Sequence, residues 1–417
     1  MSGSTTTGGA TTGGTTTGLE RAVADVLARD ACSGCGLCSR LDRSVRMELD
    51  AQGYARPVFS GPSEPVPDAE AIFRRGCPGV VVKAPTPPRG ATPHALLGAH
   101  LGVWNAWATD TEIRHTGSSG GALTALHTWL VETGRAARVT GAAVDAAAPR
   151  RTVPVSIMTR EQALSAAGSR YAPVAALDND DVLAPGSAVC AKPCEISALR
   201  QTAADLIDGE PPLMLSFFCA GTPSQHATDA LLSELGVGRH AEVGALRYRG
   251  RGWPGRFTAT SGDREVSADY DESWGRTLGP TTQWRCKVCV DAVGEAADIV
   301  SADSWESDEH GYPTFADGAG VSALIARTER GRRTILEAEA AGVIELGPLS
   351  MDRLAAAQPL QTERRRFLRA RLLGSLLAGR RPPRYPGYAL LRLSATAPRM
   401  AARVLRGTFR RVRRAAR

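Results

Sequence analysis

Cys286-Lys287-Val288-Cys289 sets two thiols three residues apart, a spacing at which one turn of chain can grip a metal centre. Asp291 follows, and then the partly β-branched run Ala297-Asp298-Ile299-Val300 predicts a buried strand. That strand ends in the polar stretch Ser301-Ala302-Asp303-Ser304-Trp305, so a thiol pair, a strand-end carboxylate and an indole meet in one short segment. Further up the chain, Cys32, Cys35 and Cys38 form C-x-x-C-x-x-C, with Gly34 and Gly36 freeing the backbone to wrap closely. The next cysteine, Cys77 in Arg75-Gly76-Cys77-Pro78, supplies the fourth thiol. Three thiolates in seven residues, closed by Cys-Pro, suit an iron–sulfur cluster. The same four cysteines would also make a zinc knuckle, although zinc more often takes two separated pairs.

These thiols need elements to hold them. Residues 19–29 have helical apolar spacing and lead into the first cysteine loop, while the interval between Cys38 and Cys77 is Pro- and Gly-rich and predicts little regular structure. Residues 84–93 read as a linker. Strands are expected at 138–144, 152–158, 187–190, 213–218 and 321–326, with helices at 160–167, 195–206 and 329–341. Cys194 and Cys219 then fall at strand-to-helix junctions, the carboxyl ends where open α/β sheets bind ligands. With Cys286 and Cys289 they make a second set of four. Cys190 falls within a strand and reads as a buried small hydrophobe. Residues 244–270 alternate as a β-hairpin region.

Two further stretches carry polar chemistry. Gly117-Ser118-Ser119-Gly120-Gly121 opens an apolar helix, offering N–H groups, hydroxyls and the positive end of a dipole to a phosphate. It lacks the lysine of a phosphate-binding P-loop and the G-x-G-x-x-G of a dinucleotide site, and a simple capped helix fits it equally. Ser169-Arg170-Tyr171 is a turn bearing a cation and an aromatic ring.

Composition sets the outer bounds. No secretory signal and no run of membrane-span length is evident, so nine cysteines point to a reducing, cytoplasmic setting and to metal ligation rather than disulfides. Residues 361–417 hold 17 Arg, one Glu and no Lys or Asp, whereas the whole chain carries only +7, so the body is acidic and the end strongly basic. Such an end suits an anionic membrane surface at the inner face of the membrane, an acidic partner subunit or, least of all, nucleic acid; a solvated tail is the plain alternative. Four segments follow: a Ser/Thr/Gly tract at 1–18 with no core-forming residues, an N-terminal iron–sulfur segment at 19–90, an α/β domain at 91–360 that carries the second cysteine set and that the resemblance given next implies to be the flavin and iron–sulfur domain, and the Arg-rich tail at 361–417.

Taken together, CSGCGLC, GSSGGALTAL, GSRYAP, AKPCEISALR, FFCAGTPS and CKVCVDAVGEAADIVSADSW resemble the coenzyme F-420 hydrogenase/dehydrogenase beta-subunit family, which includes ferredoxin-dependent reductases of the hydroxymethyl-chlorophyllide type. The resemblance implies an α/β fold: a small ferredoxin-like iron–sulfur segment followed by a mixed-sheet α/β domain binding FAD and a cluster. It implies 4Fe-4S clusters at Cys194, Cys219, Cys286 and Cys289 and at Cys32, Cys35, Cys38 and Cys77. It implies a flavin site drawn from Gly117, Ser118, Ser119, Gly120, Gly121, Ser169, Arg170, Tyr171, Lys192, Pro193, Asp303 and Trp305. His115, beside the glycine loop in the sequence, is a candidate proton donor. The expected activity is that of a flavoprotein oxidoreductase, passing electrons between a ferredoxin-like carrier and a deazaflavin coenzyme or organic substrate. The competing expectations are an electron-transfer subunit without a substrate site of its own, and a zinc-stabilised binding module.

Overall fold

The computed structural model describes residues 17–305 and 318–415. The Ser/Thr/Gly tract at 1–18 therefore lies outside the described residues except for its last two. Thr17 caps the helix Gly18–Ala28, its hydroxyl accepting from the Glu20 N–H while the Glu20 carboxylate accepts from the Thr17 N–H.

Among the described residues, thirteen strands form three sheets. A hairpin pairs β1 (Val45–Leu49) with β2 (Ala55–Phe59). The large sheet takes β3 (Gly102–Ala108), β4 (Arg138–Val144), β5 (Thr152–Ile157), β6 (Ser187–Cys190) and β7 (Leu213–Phe217). A small antiparallel sheet follows, from β8 (Ala245–Arg247), β9 (Phe257–Ser261) and β10 (Arg264–Ala268). The large sheet is completed by β11 (Ile299–Asp303), β12 (Ser322–Ala326) and β13 (Ile344–Pro348), in the order β13-β3-β12-β11-β7-β6-β4-β5. Its centre, β4-β6-β7-β11, is parallel and both flanks are antiparallel, which makes it a mixed sheet.

The sheet is buried on both faces, and the period of two along each strand shows how. Val189, Met214, Val300, Ala323 and Ile325 point into one apolar layer, shared with Leu19, Leu37, Phe73 and Ile196 from the helices Gly18–Ala28, Leu37–Leu41, Ala69–Gly76 and Pro193–Leu206. Ala188, Leu213, Leu215, Ile299 and Leu324 point the other way, against Leu126, Trp129 and Ile335 of the helices Ala122–Glu132 and Glu329–Ala340. The N-terminal cysteine segment thus packs into the same core as the sheet.

The expected strands and helices are present to within a few residues. Two segments differ. Between Cys38 and Cys77 the chain forms the β1–β2 hairpin and the helix Ala69–Gly76; its Pro and Gly residues serve the turns around them. The region 244–270 is a three-stranded sheet closed by Tyr248, Phe257, Leu231 and Leu278. The Arg-rich end is helical: Pro359–Arg366, Leu368–Leu377, Leu390–Ala395 and Pro398–Ala415. Among the described residues, no helix is long and apolar enough to cross a membrane.

Candidate functional site

The first cysteine set is made by backbone freedom followed by burial. Gly34 and Gly36 have φ of +69° and +90°, and a side chain at Gly36 would meet the Asp178 backbone nitrogen at 2.7 Å. The loop therefore folds tightly enough to present Cys32, Cys35 and Cys38 to Cys77, which caps the helix Ala69–Gly76. All four line one cavity with Val23, Met47 and Phe73. Burial pushes the Cys35 thiol up to about 11, and it pushes Cys38 and Cys77 up as well. The other thiols of the set add to this, since like charges in one small volume oppose ionisation. A cationic centre would reverse that balance.

The second set hangs from the carboxyl edge of the parallel strands, as expected. Cys194 is the second residue of the helix that follows β6, and Cys219 follows β7, its N–H donating to Ala292 O at 2.9 Å. Cys286 lies in the short helix Trp284–Lys287, and the Cys289 N–H donates to Cys286 O at 3.2 Å. The Thr222 N–H donates to the Cys286 sulfur at 3.4 Å, the sort of contact that tunes a thiolate centre. Burial pushes Cys219 up to about 12, with further upward contributions from Cys286 and Cys289; Cys194 is raised by burial, then by Glu195, and also by Cys289 and Cys219. Cys190 faces the opposite side of the sheet, in the other apolar layer.

Among the described residues, no group of three or more His, Cys, Asp or Glu is arranged to hold a single metal ion. A single zinc ion draws thiolate sulfurs to about 2.3 Å from one point, whereas a four-iron cluster holds its four thiolates around a larger cube. Four thiols gathered from each set of loops are the donor type that either centre takes.

Arg285 joins the two sets, and its position beside Cys286 gives no hint of this. Its side chain is almost wholly buried, and its Nε and Nη2 donate to Pro78 O, the residue after Cys77, at 3.1 and 2.9 Å. Burial opposes its charge, but Tyr385 and then Cys289, Cys194 and Cys286 outweigh burial and raise its pKa. The same guanidinium pulls Cys32 and Cys77 of the first set downward.

The Arg-rich end supplies further clamps. Arg364 donates to Cys219 O at 3.3 Å and Ala220 O at 2.5 Å. Arg365 reaches Val290 O at 2.9 Å and pairs with Glu295 at 2.7 Å, and Arg371 donates to Lys287 O at 3.1 Å. The Tyr385 hydroxyl donates to Val288 O at 2.5 Å. Each closes a carbonyl of the two loops bearing Cys219, Cys286 and Cys289, and apolar contacts of Val288 and Val290 with Leu368 and Tyr388 reinforce the dock. No local pattern announces such long-range carbonyl partners.

The residues proposed for a flavin converge only in part. Ser118 accepts from Ser169, the Ser119 hydroxyl donates to Val321 O at 2.6 Å, and the Gly120 N–H donates to Ser322 Oγ at 3.0 Å. Gly121 takes φ +71° at the start of the helix Ala122–Glu132, and Gly117 packs against it. Ser304 N–H meets Val321 O at 3.0 Å, so the Gly117–Gly121 loop, Ser169 and the end of β11 share one neighbourhood. Trp305 stacks on Trp253 with ring centroids 5.8 Å apart, and its indole N–H is buried without a protein partner among the described residues. Asp303 accepts from the buried Arg249 at 2.6 Å. The Arg249 guanidinium also lies over Trp253 and Tyr270. Nothing in the sequence singles out Arg249, one arginine in an Arg- and Gly-rich loop.

Arg170 donates to Leu246 O at 2.8 Å and to Thr152 at 3.0 Å, and lies over Tyr248, fastening the small sheet to β5. Tyr171 packs on Trp274 and Tyr248. Lys192 is buried beside the second cysteine set, with Nζ 2.7 Å from Glu195 and 2.5 Å from Val174 O, and Pro193 starts the helix carrying Cys194. His115 is exposed; its carbonyl accepts from the Gly252 N–H at 2.9 Å, tying it to the Arg249 loop.

The site is a mixed α/β sheet that presents cysteines at the carboxyl ends of its parallel strands. Two family models match the chain, those of the N-terminal and C-terminal parts of the coenzyme F420 hydrogenase/dehydrogenase beta subunit, over residues 103–179 and 186–352 respectively. The chain belongs to the coenzyme F420 hydrogenase/dehydrogenase beta-subunit family. It is 23% identical over 271 residues to coenzyme F420 hydrogenase subunit beta of Methanothermobacter thermautotrophicus, covering 61% of this chain and 86% of that protein. A chain of the F420-reducing [NiFe] hydrogenase complex from Methanosarcina barkeri shares the fold at a TM-score of 0.54 and 22% identity, over 72% of this chain and all of that one. The second cysteine set lies within the matched span; the first set and the Arg-rich end lie outside it.

Proposed function

We propose that this chain is an iron–sulfur flavoprotein that moves electrons between a one-electron carrier and a two-electron substrate, a deazaflavin coenzyme or an organic molecule. The observation that carries the reading is the pair of four-cysteine sets joined through Arg285, in a member of this family. Cys32, Cys35, Cys38 and Cys77 would hold one 4Fe–4S cluster, and Cys194, Cys219, Cys286 and Cys289 the other. FAD would lie at the Gly117–Gly121 loop, Ser169, Asp303 and Trp305. These groups supply, when bound, single-electron storage at the clusters and the conversion of single electrons to a hydride pair at the flavin.

The chain's own residues have defined tasks. Arg285 and Lys192 place positive charge beside buried thiolates, which favours their ionised, metal-ligating form. Arg364, Arg365 and Arg371 hold the ligand loops by their carbonyls. The unpartnered Trp305 N–H supports a ligand acceptor at that edge. Because Arg170 is committed to Leu246 and Thr152, and Lys192 to Glu195, their part is to shape the site; Arg249, held by Asp303, is a cation lying against Trp305's stacking partner.

A second reading is favoured by the matched relative, itself a hydrogenase beta subunit: this chain serves as the electron-transfer subunit of a larger complex. An anaerobic assay with reduced viologen separates the two, by following the absorbance of an added deazaflavin coenzyme. Turnover by the purified chain supports the first reading. Loss of turnover that returns only with added partner subunits supports the second.

A further inference from the structure

A groove of about 650 Å³ opens on the surface between the helix that delivers Cys77 and the Arg-rich end. Its walls come from four segments: Arg74 and Arg75 at the end of that helix, Val81 and Lys83 just beyond it, Leu372 of the helix Leu368–Leu377, and Pro383 to Pro386. Among the described residues no carboxylate lines it, although Arg74 pairs with Glu70 and Arg75 with Asp205 behind the rim. Lys83 and Arg384 are exposed and carry no ion pair among the described residues. Tyr385 is the link inward. Its hydroxyl holds Val288 O between Cys286 and Cys289, and the Arg285 guanidinium lies over its ring at 5.9 Å. Arg285 in turn holds Pro78 O beside Cys77. One tyrosine therefore separates the groove from the residues that join both sets.

We infer that this groove is the docking face for an acidic, iron–sulfur electron-carrier protein, with Tyr385 as the wall between the carrier and the cysteine sets. The inference rests on the two-cluster reading above. The groove is wide, open and rimmed by cations from three segments, which suits a broad acidic surface; electrostatic complementarity of this kind steers encounter and fixes orientation. In each encounter one electron leaves the reduced carrier, which becomes oxidised, and reduces the centre held by this chain. No atoms are exchanged.

The test uses the full-length chain, purified anaerobically, and an acidic plant-type [2Fe–2S] ferredoxin as the probe. Calorimetric titration at low salt is expected to show binding that weakens by roughly tenfold or more at high salt, because exposed charges are screened. The variant Lys83→Gln/Arg384→Gln is expected to lose about tenfold in affinity, two rim contacts at surface strength. Arg410→Gln, on the distal helix Pro398–Ala415, is expected to bind as the parent does. Reduction by dithionite, which needs no docking face, should be equal in all three. Absence of binding at low salt, unchanged affinity of the groove variant, or equal loss in Arg410→Gln would each overturn the inference. The calorimetric readout does not depend on metal content: groove-dependent binding by a chain lacking iron would sustain the docking face and sink the two-cluster reading, and iron with groove-independent binding would do the reverse.

Discussion

Arg285 Nε and Nη2 both donate to the carbonyl oxygen of Pro78, binding the residue before Cys286 to the residue after Cys77. The two residues are 207 positions apart, and through them two four-cysteine loops become one structural unit. A buried guanidinium is costly unless its charge is answered, and here the Pro78 carbonyl and the face of Tyr385 answer part of it. This contact is the strongest reason to treat the two sets as a single functional object.

Replacing Arg285 by Met keeps much of the volume but leaves Pro78 O without its two donors. The expected cost is about 1–3 kcal/mol for the unsatisfied carbonyl, read as a lower melting temperature. Removing the positive charge should also lower the reduction potentials of the centres held by both sets, because the reduced, more negative state loses its stabilisation. A potential shift confined to one set would contradict the bridging role.

Gly36→Ala tests the first loop. The residue sits at φ +90°, and the new methyl would stand 2.7 Å from the Asp178 backbone nitrogen. The loop must open, so iron bound by the first set is expected to fall more than iron bound by the second set, whose cysteines lie on other loops. Iron analysis on Gly36→Ala beside Cys194→Ser separates the two contributions.

Arg364→Ala removes the donor to Cys219 O and Ala220 O. With two carbonyls of the ligand loop left open, we expect destabilisation on the order of 1–3 kcal/mol and faster loss of iron from the second set to a chelator. Arg410→Ala, an exposed change on the helix Pro398–Ala415, should leave that rate unchanged, because that arginine makes none of these clamps.

His127 gives a pH prediction away from the cysteines. It is buried against the apolar layer of the helix Ala122–Glu132, its Nε2 lacks a hydrogen-bond partner among the described residues, and burial pushes its pKa down to about 4. The unfolded chain takes up a proton near pH 6.5 and the folded chain does not. Stability is therefore full above about 6.5 and declines as pH falls toward about 4, by roughly 3 kcal/mol over that window. Denaturant titrations of the parent and of His127→Leu should diverge there: the parent loses this increment on acidification and the variant does not.

Much of this architecture is legible in the residues. The strands β4, β6, β7 and β12 announce themselves by apolar runs ending in turn residues, and the junction positions of Cys194 and Cys219 follow from that alone. The hairpin at 45–59 is hidden because its Pro and Gly residues look like breakers when the partner strand is unknown. Arg285, Arg249 and Arg364 are invisible for a different reason. Each acts on a carbonyl or carboxylate at least 54 positions away, and one arginine in an Arg-rich chain carries no local sign of that. The Arg-rich end itself reads as a tail by charge, yet its first two helices spend arginines on the cysteine loops.

The most direct test of the central claim is the iron, acid-labile sulfide and flavin content of the chain purified without oxygen. About eight irons with matching sulfide and one FAD per chain are expected, falling to about four irons when either cysteine set is changed to serine, from two four-iron centres. Zinc in place of iron, with no sulfide and no flavin, would contradict it and leave the cysteines as structural ties.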